Sequence, residues 1–141
     1  MHPSLHSQRG FTLIEVITVV TILAILAAIA IPNYTEYIQR GRRADAKTAL
    51  TLLAQWQERR RTETNAYATV NGDIPLGLRT VQSGGATTYN ITVGTGTPPY
   101  ILTATRAGVM ASDACGDLTL TGLGVRGSAN GTRPWQECWA R

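Results

Sequence analysis

The sequence predicts an α+β fold in which a long N-terminal helix packs on an antiparallel sheet of three or four strands. Three observations support this prediction. Residues 11–31 form an apolar run, residues 38–56 carry apolar side chains at helical spacing, and short alternating segments begin at residue 88. A helix that covers an antiparallel sheet buries the apolar face of each element. The length of 141 residues is that of one domain.

The apolar run over residues 11–31 contains a single charged side chain, Glu15. A helix of this length is about 31 Å long, which matches the hydrocarbon core of a bilayer. Two ordinary interpretations are a membrane anchor and a secretory signal peptide, and Ala28-Ile29-Ala30 is typical of a signal-peptidase site. Neither interpretation explains Glu15, because an ionisable side chain in a membrane segment indicates a function and requires a partner.

The segment around Glu15 resembles the processing site of type IV prepilins. It reads Arg9-Gly10-Phe11-Thr12-Leu13-Ile14-Glu15. The resemblance implies that a prepilin peptidase cuts between Gly10 and Phe11, so that residues 1–10 are a leader, and that the amine of Phe11 is then methylated. It also implies that Glu15 pairs with the N-terminal amine of a neighbouring subunit during assembly. An ammonium and a carboxylate that are each costly in hydrocarbon satisfy each other when two helices stagger correctly.

One feature departs from the family pattern. Many members of the family have a Gly near the middle of this segment, where this chain has Ala24. Ala favours a helix over Gly by about 1 kcal/mol, so local melting in a filament would depend more on Pro32. Pro32 removes a backbone donor, and we expect it to kink the helix. Residues 11–34 are therefore predicted to form a transmembrane helix that becomes the filament core.

Residues 35–65 are predicted to be the amphipathic second half of the same helix. The predicted apolar stripe, which should pack on the sheet, comprises Ile38, Ala46, Ala49, Leu50, Leu53 and Trp56. The opposite, polar face comprises Arg42, Arg43, Lys47, Gln55 and Arg59. Arg40, Arg42 and Arg43 follow the apolar run closely, so contact with anionic lipid, a salt bridge between subunits and a solvated face are all open interpretations.

Residues 66–141 are predicted to form a loop and then the sheet. Gly, Pro, Asn and Asp are scattered over residues 66–86, which predicts a long loop. Alternating or β-rich segments predict strands at 88–93, 100–105 and 117–121, with a short fourth strand at 124–127. The first of these strands places Tyr89, Ile91 and Val93 on one face.

Cys115 and Cys138 are the two cysteines of the chain. In an exported domain an even number of cysteines indicates a disulfide, although two free buried thiols are the alternative. Their placement also resembles that of type IV pilins, in which a disulfide bounds a C-terminal loop. The segments at residues 113–120 and 137–139 are most similar to the short minor-pilin branch of that family.

The composition argues against an enzyme. Both His lie in the first six residues, and two Cys do not make a four-ligand zinc site, so neither a metal centre nor a cofactor is predicted. The Ser and Thr residues have no base that would activate them. Asp113 and Asp117 are four residues apart and could together bind calcium, but a solvated loop is the favoured interpretation.

The favoured function is that of a structural subunit, a minor pilin of a type IV pilus. Its predicted partners are other pilins, prepilin peptidase, the assembly platform of the inner membrane, and membrane lipid before assembly. It would move from the bacterial inner membrane into an extracellular filament and support pilus biogenesis, adhesion or twitching motility.

Two alternatives stay open at this point. One is a pseudopilin of a type II secretion system, because such proteins share the N-terminal signal; the Cys pair favours the pilus. The other is a pilin that binds DNA, because basic and aromatic side chains attract phosphates and stack on bases. The residues that would form this DNA-binding or adhesive surface are Arg126, Arg133, Trp135, Trp139 and Arg141. A net charge of +4 permits nucleic-acid binding without requiring it.

Overall fold

Helix α1 begins at Leu13 and ends at Thr64. Asn65 follows it with a φ of 57°, and its N–H donates to the carbonyl oxygen of Arg61 at 2.9 Å, so the helix ends in a left-handed residue. The structure is a computed structural model that describes residues 10–95 and 99–140. The chain forms two compact units, Met1–Tyr37 and Ile38–Arg141, and α1 contributes residues to both.

The part of α1 in the first unit is largely apolar, and residues 13–35 of it are exposed. It is long and apolar enough to cross a membrane, a property that signal sequences near an N-terminus share. The hydroxyls of Thr18 and Thr21 each donate to the carbonyl oxygen four residues earlier at 2.8 Å, which satisfies them within the helix. The helix continues through Pro32, so this proline does not end it.

The second unit contains a five-stranded antiparallel sheet in the order β1-β2-β3-β4-β5. The strands are β1 Thr80–Ser83, β2 Ala86–Gly94, β3 Ile101–Arg106, β4 Asp117–Thr121 and β5 Arg126–Ala129. Short 3-10 helices lie at Asn71–Asp73, Leu76–Leu78 and Gly108–Met110, and a short helix α2 spans Trp135–Trp139. The predicted α+β class is confirmed.

The sheet has one strand more than the sequence predicted. Strand β1 lies inside the segment that was expected to be a loop. Its residues are few and mostly polar, so their sequence does not indicate a strand. The strand forms because it pairs with β2, with Thr80 opposite Asn90 and Ser83 opposite Ala86. Strand β5 also begins two residues later than predicted. Residues 122–125 instead form the turn that joins it to β4, in which the N–H of Gly124 donates to the carbonyl oxygen of Thr121.

The core of the second unit lies between α1 and one face of the sheet. Alternation along β2 buries Tyr89, Ile91 and Val93, the three side chains that were predicted to share one face, and Ile91 pairs with Ala104 of β3. The buried apolar side chains are Ala46, Leu50, Leu53, Ala68, Ile74, Val81, Tyr89, Ile91, Val93, Tyr100, Leu102, Ala104, Met110, Cys115, Leu118, Leu120 and Cys138. Among the described residues this core begins at Ala46, so a fragment of residues 38–141 retains all of it and should fold alone.

One side chain of α1 was predicted on the wrong face. Arg43 was placed on the solvated side, but it is only 4% exposed and lies in line with Ala46, Leu50, Leu53 and Gln57. Its side chain is buried because Asp113, which is equally inaccessible, provides the countercharge. Gln57 is buried for a similar reason, since its amide accepts from the N–H of Ala68 and donates to the same residue's carbonyl oxygen.

Candidate functional site

The first candidate site is the N-terminal end of α1. Because the helix begins at Leu13, Thr12 is its N-cap and Glu15 is its third residue. The N–H of Glu15 donates to Oγ1 of Thr12 at 3.3 Å, and the N–H of Thr12 donates to Oε2 of Glu15 at 3.5 Å. These reciprocal contacts form a capping box, which holds the carboxylate at the end of the helix where the dipole favours negative charge.

Gly10 and Phe11 lie directly beside this carboxylate. Gly10, Phe11, Thr12 and Glu15 together line a shallow pocket, and the side chain of Phe11 is 84% exposed. The structure therefore brings the predicted cleavage position and the predicted assembly carboxylate to one helix end. Pro32 lies further along the same helix. Arg9 of the processing motif lies outside the described residues.

The second candidate region is the C-terminal part of the chain, which a disulfide ties down. Cys115 and Cys138 are bonded to each other, with Cα atoms 5.6 Å apart and both side chains buried. The N–H groups of Thr132 and Arg133 donate to the carbonyl oxygen of Ala114 at 2.8 and 3.1 Å, and so fix the loop between the two cysteines. Residues 131–138 are thus attached to the segment before β4 at both ends.

The two aspartates beside Cys115 take part in a polar network. Asp113 pairs with Arg43, and its carbonyl oxygen accepts from Nη1 of Arg106 at 2.6 Å. Asp117 accepts from the backbone N–H of Arg106 at 3.0 Å and from Nδ2 of Asn130 at 2.9 Å. Each carboxylate is therefore occupied by protein donors, and its place in this network argues against the calcium interpretation. Within residues 10–95 and 99–140 no three His, Cys, Asp or Glu side chains cluster as a metal site.

The third candidate is a cleft around Trp139, at the end of α2. The indole Nε1–H of Trp139 donates to the carbonyl oxygen of Gly127 at 2.7 Å, which anchors the ring on β5. The guanidinium carbon of Arg126 lies 5.5 Å from the centroid of this ring, and Nζ of Lys47 lies 6.0 Å from it. Nζ of Lys47 also donates to the carbonyl oxygen of Ala140 at 3.0 Å. One ring therefore holds two cations that come from different elements.

The Trp139 cleft, as we call it, has a volume of about 610 Å³. It is lined by Ala44, Lys47, Thr48, Thr51, Leu52, Gln55, Arg126, Trp139 and Ala140. The pKa of Lys47 is lowered, first because the amine is partly buried and then because the charges of Arg43 and Arg126 repel its proton. The described residues of its lining include two cations, Lys47 and Arg126, and no acid, so the cleft is electropositive.

The structure brings together part of the surface that the sequence predicted. Arg126 and Trp139 meet in the cleft, whereas Trp135 lies one turn earlier on α2 with 42% of its surface exposed. Arg133 precedes α2 and is half-buried. Arg141 lies outside the described residues.

Sequence reasoning missed Lys47, which it had placed on a solvated face. A spacing pattern did not connect it to Trp139, because the two residues are far apart in the sequence and meet only in the folded chain. Trp139 is also less suited to stack on a base than the sequence predicted, since two cations already lie over its ring. Trp135 is the more accessible of the two indoles.

An N-terminal helix whose capping carboxylate lies at a prepilin-type cleavage motif, followed by an antiparallel meander, defines the class of type IV pilins. The family model described as "Prokaryotic N-terminal methylation motif" matches residues 5–31. The chain belongs to the family described as "Type IV minor pilin ComP, DNA uptake sequence receptor", whose model matches residues 32–119, more than half of the sequence. The chain is therefore a minor pilin of a type IV pilus, and the resemblance seen at Arg9–Glu15 is confirmed.

The comparison with solved structures found a type IV pilin from Shewanella oneidensis. It is 26% identical, the match covers 72% of this chain and 98% of that one, and the TM-score is 0.46. No curated protein matches the chain. Pilins are structural rather than enzymatic proteins, and membership of the family implies processing by prepilin peptidase and assembly with other pilins.

Proposed function

We propose that this minor pilin enters a type IV pilus through the carboxylate of Glu15. In this proposal prepilin peptidase cuts between Gly10 and Phe11, and Phe11 is methylated on its new amine. The subunit then waits in the inner membrane, anchored by residues 11–34, before the assembly platform adds it to the extracellular filament. There it contributes to pilus biogenesis, adhesion or twitching motility.

The observation that carries this proposal is the capping box between Thr12 and Glu15. In a single subunit the box and the helix dipole make a carboxylate tolerable near the end of an apolar helix. In a filament the same carboxylate, held at the helix terminus, can receive the ammonium of a neighbouring Phe11. Removal of the carboxylate would leave that ammonium unpaired among apolar helices, at a cost of several kcal/mol.

The test is to express Glu15→Val beside the wild-type chain and to compare membrane and sheared-filament fractions. We expect the variant to insert and to be processed at Gly10, because Val is apolar and the cleavage site is intact. We also expect it to be depleted from filaments. Glu63→Val is the matched control, since it removes an exposed carboxylate from the other end of α1. Equal incorporation of Glu15→Val and wild type would contradict the proposed role.

A second candidate function, DNA binding, is favoured by a separate observation. The family model is described as a receptor for the DNA uptake sequence, and Arg126 and Trp139 lie together in an electropositive cleft. The fragment of residues 38–141 provides the test, because it contains the complete core. We expect it to bind duplex DNA with an affinity that falls as salt rises from about 50 to about 200 mM. A fragment that does not bind at the lower salt concentration would contradict this function.

A further inference from the structure

The Trp139 cleft contains two cations, Lys47 and Arg126, that have no carboxylate partner among the residues that the structure describes. Among residues 10–95 and 99–140, no Asp or Glu oxygen lies within 4.0 Å of Lys47 or Arg126. The side chains that line the cleft include no acid. Other basic side chains differ in this respect, since Arg43 pairs with Asp113, Arg60 with Asp73 and Arg106 with Asp117.

The indole of Trp139 keeps these two cations near each other. Its N–H is bonded to Gly127, so the ring is fixed on β5, and its π-system attracts both cations. Partial burial lowers the pKa of Lys47 first, and the charges of Arg43 and Arg126 lower it further, so Lys47 and Arg126 repel each other. An anion in the cleft would relieve this repulsion.

Donors remain available for such an anion. One N–H of the Lys47 ammonium points to Ala140, which leaves two of its three donors. The guanidinium of Arg126 makes no hydrogen bond to a residue within the described part of the chain and carries a planar fork that matches a phosphate. Oγ1 of Thr48 and of Thr51 donates back to α1, so these hydroxyls keep only acceptor capacity.

We propose that the Trp139 cleft binds a backbone phosphate of DNA, with Nζ of Lys47 and the guanidinium of Arg126 as its donors. This inference rests on the proposed DNA-binding function and names the contact that function would use. Trp139 is a positioning residue here, because it holds the two donors together rather than stacking on a base. A phosphate contact of this kind orients DNA without reading its sequence.

The experiment measures binding of a labelled duplex of fixed sequence to the 38–141 fragment over a series of salt concentrations. The variants are Lys47→Gln and Arg126→Gln, and the matched control is Arg59→Gln, which removes an exposed charge from α1 outside the cleft. Gln at position 47 keeps an N–H that can donate to Ala140. Melting temperatures of all variants are measured first, so that a loss of fold is not scored as a loss of binding.

The double variant Lys47→Gln/Arg126→Gln should lower the magnitude of the slope of log K against log salt by about 0.9, the value for one lost phosphate contact, and each single variant should lower it by part of that amount. At about 0.1 M salt the full change corresponds to a loss of affinity of roughly five- to tenfold for the double variant. The control should leave the slope unchanged. A control that lowers the slope equally would overturn the proposal, because the effect would then reflect net charge alone.

The remaining outcomes distinguish a failure of the proposed phosphate site from a failure of the proposed DNA-binding function. If the wild-type fragment does not bind DNA at about 50 mM salt, the DNA-binding function fails and the site fails with it. If the wild type binds and both cleft variants bind equally well, the function stands and the cleft is the wrong site. In that case the full-length Lys47→Gln and Arg126→Gln chains are tested for entry into filaments. Their depletion would assign the cleft to an acidic side chain of a neighbouring subunit.

Discussion

Arg43 of α1 and Asp113, which precedes Cys115, form a buried ion pair across 70 residues of sequence. Nε of Arg43 donates to Oδ2 of Asp113 at 2.9 Å, and Nη2 donates to Oδ1. Both side chains are almost inaccessible to solvent. The pair joins the helix to the segment just before the Cys115–Cys138 loop, and it places both charges out of contact with solvent.

The first prediction concerns this pair. Asp113→Ala in the 38–141 fragment should lower the free energy of unfolding by about 3–5 kcal/mol, because it removes a buried carboxylate that accepts from two nitrogens of the Arg43 guanidinium. The double variant Arg43→Met/Asp113→Leu should recover part of that loss, since no charge then remains buried. Chemical denaturation measures both values. Asp45→Ala removes an exposed carboxylate as a control, and a loss equal to that of Asp113→Ala would show that burial is not the cause.

The second prediction concerns Gly116, which has a φ of 72° beside the disulfide. A Cβ at this position would lie 2.1 Å from the carbonyl oxygen of Ala129 and 2.5 Å from the amide nitrogen of Gly131. Gly116→Ala should therefore destabilise the fragment by more than the ~1–2 kcal/mol that a left-handed conformation costs an L-residue. Gly124→Ala is the matched control, because Gly124 has a φ of 79° and open space around it. Equal effects in thermal melts would exclude a steric contribution at Gly116.

The third prediction concerns the disulfide. Replacement of both Cys115 and Cys138 by Ser should lower the free energy of unfolding by about 3 kcal/mol on the loop-entropy estimate. The same substitutions should leave membrane insertion of the full-length chain unchanged, because the apolar part of α1 lies in the other unit. Non-reducing peptide mapping of the exported protein should yield one linked pair. Free thiols in that protein would contradict the assignment.

The fourth prediction concerns three tyrosines of the 38–141 fragment. Burial and then the charge of Asp113 raise the pKa of Tyr89, while burial and the hydrogen bond to Glu58 raise the pKa of Tyr67 and Tyr100. A raised folded-state pKa contributes stability that is complete below the unfolded-state value, about 10, and is lost as pH rises towards the folded-state value. Tyrosinate absorbance should therefore rise later in the folded fragment than in denaturant. Coincident titration curves would show that the phenols are accessible to solvent.

The fifth prediction concerns the mature N-terminus. Intact mass of the exported protein should match a chain that begins at Phe11 with one added methyl group. A chain that begins at Ile31 would indicate ordinary signal-peptidase cleavage after Ala30. Gly10→Ala offers a second variant, and the proposed processing predicts that its product keeps residues 1–10.

Some elements were predictable because their signal is local in the sequence. The apolar run, the stripe through Ala46, Leu50 and Leu53, and the alternation of β2 each repeat with the period of a helix or a strand. The Thr12-x-x-Glu15 spacing is also a local signal, because it is the spacing of a capping box. From the sequence, Glu15 was interpreted only as the assembly carboxylate, and this box was not predicted. Strand β1 was missed because its stability comes from a neighbouring strand and not from its own pattern.

The sequence by itself determined the class of the protein, because a processing motif, an apolar helix and a pair of cysteines are each contained in short stretches of chain. Only the tertiary structure decided which charged side chains are buried and which converge. Arg43 and Lys47 lie one turn apart on the same helix, yet one meets Asp113 and the other meets Trp139. The energy of a charge depends on the groups and solvent within a few ångströms of it, and those neighbours come from distant segments that only folding brings together.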